Sequence, residues 1–220
     1  EFKTGLRNTM HFFINYLFPL GFYAMMGFVM TQINPGFTET MIPAMVIFTI
    51  TAGTILGLPN PLVESREAGI YRSFKINGVP AASILTIPVV TTIFHVLIVS
   101  IIITLTAPPL FKGVAPPNWW AFALVTLVTA FACGAIGALI GVISANAQAT
   151  VLWSQMIFLP SMLIGGLMMP LSFVPEAMRP FSALLPTAHA MQAFEGLAYD
   201  RATTFDPTIS LLVLATSGLL

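Results

Sequence analysis

Two apolar runs, Ala81 to Ala107 and Trp119 to Ala145, contain no Asp, Glu, Lys or Arg and are long enough to cross a bilayer. A crossing helix needs about 20 mostly apolar residues, at about 1.5 Å each, to span a hydrocarbon core of roughly 30 Å. No water inside that core can satisfy a backbone N–H or C=O, so such runs fold as membrane helices. The rest of the chain agrees. Charged residues are 7 % of the 220, where a soluble domain carries about 25 %. The mean hydropathy is +0.92 and 57 % of residues are hydrophobic. Ten-residue alternating segments, the signature of a membrane barrel, are absent. The class is therefore an all-α, polytopic membrane protein.

Taken in order, the sequence predicts six spans in a single transmembrane domain covering residues 1–220, with edges near 10–32, 41–58, 81–107, 119–145, 149–170 and 208–220, the last incomplete. Glu1 to Thr9 is a short polar lead without a methionine, read as the remainder of a longer N-terminus, and the first apolar run shows no cleavable signal. Asn15 lies in the first span, and Pro19 is placed to kink it. Gly53 and Gly57 give the second span a GxxxG spacing. The fourth span carries two rows of small residues, Ala130-Gly134-Ala138 and Gly137-Gly141-Ala145, which predict the most tightly packed span. Only Asn146 to Gln148 separates it from the fifth, so the two are expected to be antiparallel neighbours. Leu171 to Pro207 is proline-studded and predicts two short helices, about 175–184 and 187–199. Neither can cross, and both are placed as re-entrant or interfacial pieces.

The basic residues orient the chain. Lys3, Arg7, Arg66, Arg72 and Lys75 fall on one side, and Lys112, Arg179 and Arg201 on the other. By the positive-inside rule the N-terminus and the Asn60–Pro80 stretch are cytoplasmic. That stretch, NPLVESREAGIYRSFKINGVP, holds five of the sixteen charged residues. On a helix Val63, Ile70 and Phe74 fall within about 40° of one another, as for a short helix lying along the interface. Glu67 and Tyr71 are one turn apart, and Gly69 offers a break. An ordinary solvated loop with snorkelling cations fits the same composition.

Catalytic signatures are absent: no HExxH, no GxSxG, and no paired carboxylates within a span. The single cysteine, Cys133, leaves no room for an intramolecular disulfide or a cysteine metal cluster and reads as a packing residue. His11, His95 and His189 are scattered. His95, in the third span, is either a proton relay or a bond to a neighbouring helix. No lysine follows a glycine, which excludes a Walker A phosphate loop. The zero net charge points to no nucleic-acid partner.

VESREAGIYRSFKINGVP resembles the Glu-Arg-Glu-x-Gly segment and basic stretch between the second and third spans of type-2 ABC transporter permeases (the ABC-2 family). GGLMMPLSFVPEAMRPFSALLPTAHAMQAFEGL resembles the second signature of that family, with Pro170, Pro175, Pro186 and Gly196 at its marked positions. The resemblance implies a half-channel that pairs with a second copy or a paralogue, each half docking a separate ABC ATP-binding subunit. ATP and Mg would then be bound and hydrolysed on that partner, with no cofactor on this chain. Glu64, Arg66, Glu67 and Gly69 match the coupling motif, and Tyr71, Arg72 and Lys75 extend it.

For a transport path the candidates are Asn15, Met26, Thr51, Gln155 and Met162. The Thr49-Thr51-Thr54 set supplies either path hydroxyls or interhelical bonds. Soft Met and Phe side chains suit varied apolar cargo, and they equally suit lipid contact and core packing. The expected function is export of a hydrophobic or amphipathic molecule, a drug or antibiotic ahead of a lipid, across a prokaryotic cell membrane. The rival is an ion-coupled secondary transporter or channel without an ATPase, which would normally carry an ionisable residue deep in a span.

Overall fold

The computed structural model describes residues 12–71, 76–78, 80–168, 171 and 174–219. Among them every regular element is helical. Five helices are long and apolar enough to cross a membrane: α1 (Phe13–Ile33), α2 (Phe37–Glu67), α3 (Ala81–Phe111), α4 (Trp119–Ile143) and α5 (Ala147–Ile164). Two shorter helices follow, α6 (Pro186–Ala193, continued by a wide turn over Phe194–Ala198) and α7 (Pro207–Ser217). The expected sixth span corresponds to α7. Its eleven residues are about 16 Å of helix, roughly half a hydrocarbon core.

Proline sets the local irregularities. Phe13–Leu17 is a wide π turn just ahead of Pro19, and Ala52–Gly57 is another just ahead of Pro59. A proline ring collides with the carbonyl four residues back and offers no N–H to it, and the wider turn accommodates both defects. The expected kink in α1 therefore takes the form of a bulge. The second span does not stop at Leu58: helix resumes at Pro59 and runs to Glu67. Pro108 and Pro109, expected in a loop, lie in the last turns of α3. That helix closes when Lys112 turns to φ 58° and the Lys112 and Gly113 N–H groups donate to the carbonyls of Pro108 and Ala107. Conversely α5 ends at Ile164, six residues before Pro170, because Gly165 and Gly166 follow and Gly166 adopts φ 86°.

Burial shows which helix the others surround. In the most apolar part of each span, 94 % of α2 is buried, against 50 % of α4, 44 % of α3, 28 % of α1 and 22 % of α5. The most enclosed of the five is α2, with α4 next, whereas the small-residue rows were read as marking the most tightly packed span. One of the α4 rows seats α2. A Cβ on Gly137 would collide with the Thr54 carbonyl, and one on Gly141 would come within 2.9 Å of Leu62. The other row faces α3, where Gly134 lies under Ile93 and Val89. The GxxxG of α2 accepts Asn15 and Ile14 of α1 and Val96 of α3. The remaining face of α4, with Leu127, Phe131 and Leu139, is exposed. The fifth helix is joined to α4 by a short turn and leans more on the second half of α2 than on α4.

Candidate coupling end of the helix bundle

Antiparallel packing gathers the last turns of α2 and α4, the start of α5 and the start of α1 at one end. The resumed helix Pro59–Glu67 forms its tip. Leu62 and Val63 are buried against the bundle, whereas Glu64 and Glu67 are exposed. Asn60 donates through Nδ2 to Glu64 Oε1 at 2.8 Å, which steadies that carboxylate on the surface. The helix ends where Gly69 adopts φ 71° and its N–H donates to the Arg66 carbonyl at 3.0 Å. A side chain in that conformation is disfavoured, so the break needs glycine. Tyr71 folds back, its hydroxyl donating to the Leu62 carbonyl at 2.8 Å.

The break expected at Gly69 separates the tip of α2 from Ile70 and Tyr71, which are helical again, and residues 72–75 of the expected interfacial helix lie outside the described residues. Val63 belongs to the tip of α2 and is buried, while Ile70 lies beyond the glycine and is exposed, so they do not share one helical face. Phe74, and the proposed site residues Arg72 and Lys75, lie outside the described residues.

Arg66 points inward. Its guanidinium donates to the Val142 carbonyl at 3.0 Å, to Gly141 at 3.4 Å, and to the Ser144 carbonyl through Nη2. The last carbonyls of a helix have no partners within it and carry the negative end of its dipole, so a cation there is favoured twice over. Of the four motif residues, Glu64, Glu67 and Gly69 present themselves outward and Arg66 does not.

At the opposite end α6 is packed in among the other helices, and Thr187 to Ala193 are all buried. Pro186 opens α6, and Pro175 precedes a 3-10 turn at Glu176–Met178 that runs on into a short α-helix at Arg179–Ser182, so helix occurs in both places where a short piece was expected. Gly196 allows close contact with Pro207, since a Cβ there would lie 2.5 Å from the proline ring. Pro170 lies outside the described residues. The residue the sequence gave no reason to choose is Gln192. It is buried, accepts from the backbone N–H groups of Thr204 and Phe205, and donates to Glu195 Oε2 at 3.2 Å. An amide in an otherwise apolar helix beside an irregular loop was the signal available. Arg201 donates to the Glu39 carbonyl at 3.0 Å and stacks 4.8 Å from the Tyr199 ring, and Tyr199 donates to the Val114 carbonyl.

The proposed path residues are not brought together. Asn15, Met26 and Thr51 are enclosed by the chain's own helices, whereas Gln155 is exposed on α5 and Met162 is half-buried there beside Phe158. The hydroxyls of Thr49, Thr51 and Thr54 each donate to the carbonyl four residues earlier, at 2.7 to 2.9 Å. That is local back-bonding, and Thr51 in addition hydrogen-bonds the Cys133 thiol of α4, the interhelical role that was one of the two expected. His95 is buried with Nδ1 2.5 Å from the Tyr16 hydroxyl of α1, the interhelical bond that competed with a proton relay. Cys133 is buried, and no group of three or more His, Cys, Asp or Glu with metal-ligand geometry occurs among the described residues.

Residues 1–199 match a family described as ABC-2 type transporter. The Bacillus subtilis (strain 168) protein "Putative transport permease YvfS" is 24 % identical over 193 residues, covering 86 % of this chain and 78 % of that protein. No solved structure matches.

Proposed function

The chain belongs to the ABC-2 type transporter family, and from that premise we propose that it is the membrane subunit of an ATP-driven exporter. In this reading a separate ABC ATP-binding subunit, carrying ATP and Mg, docks on Glu64, Glu67 and Gly69. A second permease copy or paralogue completes the path, and the Arg66 end is cytoplasmic. The cargo is hydrophobic or amphipathic.

One observation carries the reading: the motif sits on the exposed tip of the most buried of the five long helices. A displacement applied at Glu64 or Glu67 is applied to α2 itself, and α2 touches α1, α3, α4 and α5. Packed interiors transmit strain rather than absorb it, so a push at the tip reaches every span. An isolated interfacial helix would need a flexible joint to do the same. The ion-coupled alternative gains little from His95, whose ring nitrogen is already engaged with Tyr16.

The test is uptake of a lipophilic cationic dye into inside-out membrane vesicles holding this chain and its ATPase partner. The account expects uptake that requires hydrolysable ATP and survives collapse of the proton gradient. Uptake driven by the gradient alone, with no ATP, would overturn it.

A further inference from the structure

We propose that Arg66 is a positioning residue: the joint through which movement of the Glu64–Gly69 tip reaches α4 and α5. The inference rests on the exporter reading and departs from it at one point, since the motif's arginine is assigned to the inside of the chain and not to the docking surface.

Three observations converge on it. The guanidinium spans the carbonyls of Gly141, Val142 and Ser144, so one planar fork holds the end of α4 and the first residue of the turn into α5. The same place is interlocked sterically: a Cβ on Gly141 would lie 2.9 Å from Leu62 and 3.3 Å from the Pro59 carbonyl. Asn146, two residues beyond Ser144, accepts from the Ala149 N–H at 2.8 Å and starts α5. The α4–α5 turn is thus tied to the tip of α2 on one side and to its own helix on the other. The exposed carboxylates of Glu64 and Glu67 are left to meet a partner. Lysine replaces the fork only in part, because its ammonium is a single point of donation.

Spin-label distances test this without knowledge of the cargo. In a Cys133→Ala background, labels at Ala68→Cys and Ala145→Cys, both exposed positions, report tip against turn. Labels at Leu17→Cys and Ala145→Cys report the turn against α1. The full chain is measured with its co-purified ATPase, nucleotide-free and trapped with ATP and vanadate. In the parent chain the tip-to-turn distance stays fixed between the two states while the turn-to-α1 distance shifts. In Arg66→Ala the tip-to-turn distribution broadens and the turn-to-α1 shift disappears, although the ATPase still co-purifies; Arg66→Lys restores part of that shift. A tip-to-turn distance that changes with nucleotide in the parent chain, or an unaltered turn-to-α1 shift in Arg66→Ala, overturns the joint. Loss of the ATPase from Arg66→Ala alone would return the residue to the docking surface. Absence of any ATPase from the parent chain would instead overturn the exporter reading and the joint with it. Should Arg66→Ala fail to fold, Arg66→Met, which keeps the apolar stem and removes the donors, carries the same comparison.

Discussion

At the Tyr199 end of the bundle, side chains reach across irregular backbone. Gln192 holds the loop before α7, Arg201 bridges to the start of α2, and Tyr199 reaches the segment before α4. At the Arg66 end the helices meet backbone to backbone, with Gly137 under Thr54 and Gly141 under Leu62, and Arg66 and Tyr71 fasten the last turn. The first arrangement fixes separate pieces in place, because each buried polar group would be costly to leave unpaired. The second makes two helices behave as one body with an exposed tip. In the exporter reading proposed above, the first end stays fixed while the second is displaced as a unit.

That contrast can be broken at either end, and the largest effect is expected in the glycine seam. Gly137→Leu would force a side chain into the Thr54 carbonyl, where backbone and not a flexible side chain must yield. Overpacking of this kind costs about 1–3 kcal/mol or more. Thermal unfolding in mild detergent should show a large drop in the midpoint or loss of the monodisperse species. At the other end Gln192→Leu removes the shared acceptor of the Thr204 and Phe205 N–H groups, a net cost of about 0.5–1.5 kcal/mol for each hydrogen bond lost. Hydrogen exchange should rise across residues 199–206 and stay unchanged across 59–67; the same rise at both ends would dissolve the distinction.

A smaller effect, in pH, sharpens it. Burial pushes the Glu195 carboxyl above the usual Glu range, against the opposing pull of Arg201 and of the Gln192 hydrogen bond. A carboxyl with a raised folded pKa binds its proton more readily in the fold than in the unfolded chain. Its contribution is therefore complete below the unfolded value of about 4.3 and is lost as pH rises through the raised folded value. Glu195→Gln should flatten that fall in the unfolding midpoint, and an unchanged pH profile would show that Glu195 does not cause it.

Hydropathy made the five long spans legible, because lipid admits few alternatives to an apolar helix. It misjudged where α2 ends. Asn60, Glu64, Ser65, Arg66 and Glu67 break the apolar run, so a helix that leaves its apolar stretch reads as a loop. The small-residue rows of α4 told where helices approach closely without telling which helix is surrounded, since enclosure depends on all faces at once. Of the site, the outward Glu64 and Glu67 and the break at Gly69 followed from local sequence. The inward turn of Arg66 did not, because its carbonyl partners lie 75 to 78 residues away. Gln192 was hidden for a similar reason: its acceptor role depends on a loop that returns twelve residues later.

The most direct test of the central claim is affinity purification of the parent chain and of Glu67→Lys from native membranes in mild detergent, with mass spectrometry of what remains bound. Glu67 is exposed, so the substitution should change stability by no more than about 0.5 kcal/mol. The account predicts an ATP-binding subunit with the parent chain and its loss from Glu67→Lys at equal permease yield. An ATPase retained equally by both, or found with neither, would contradict it.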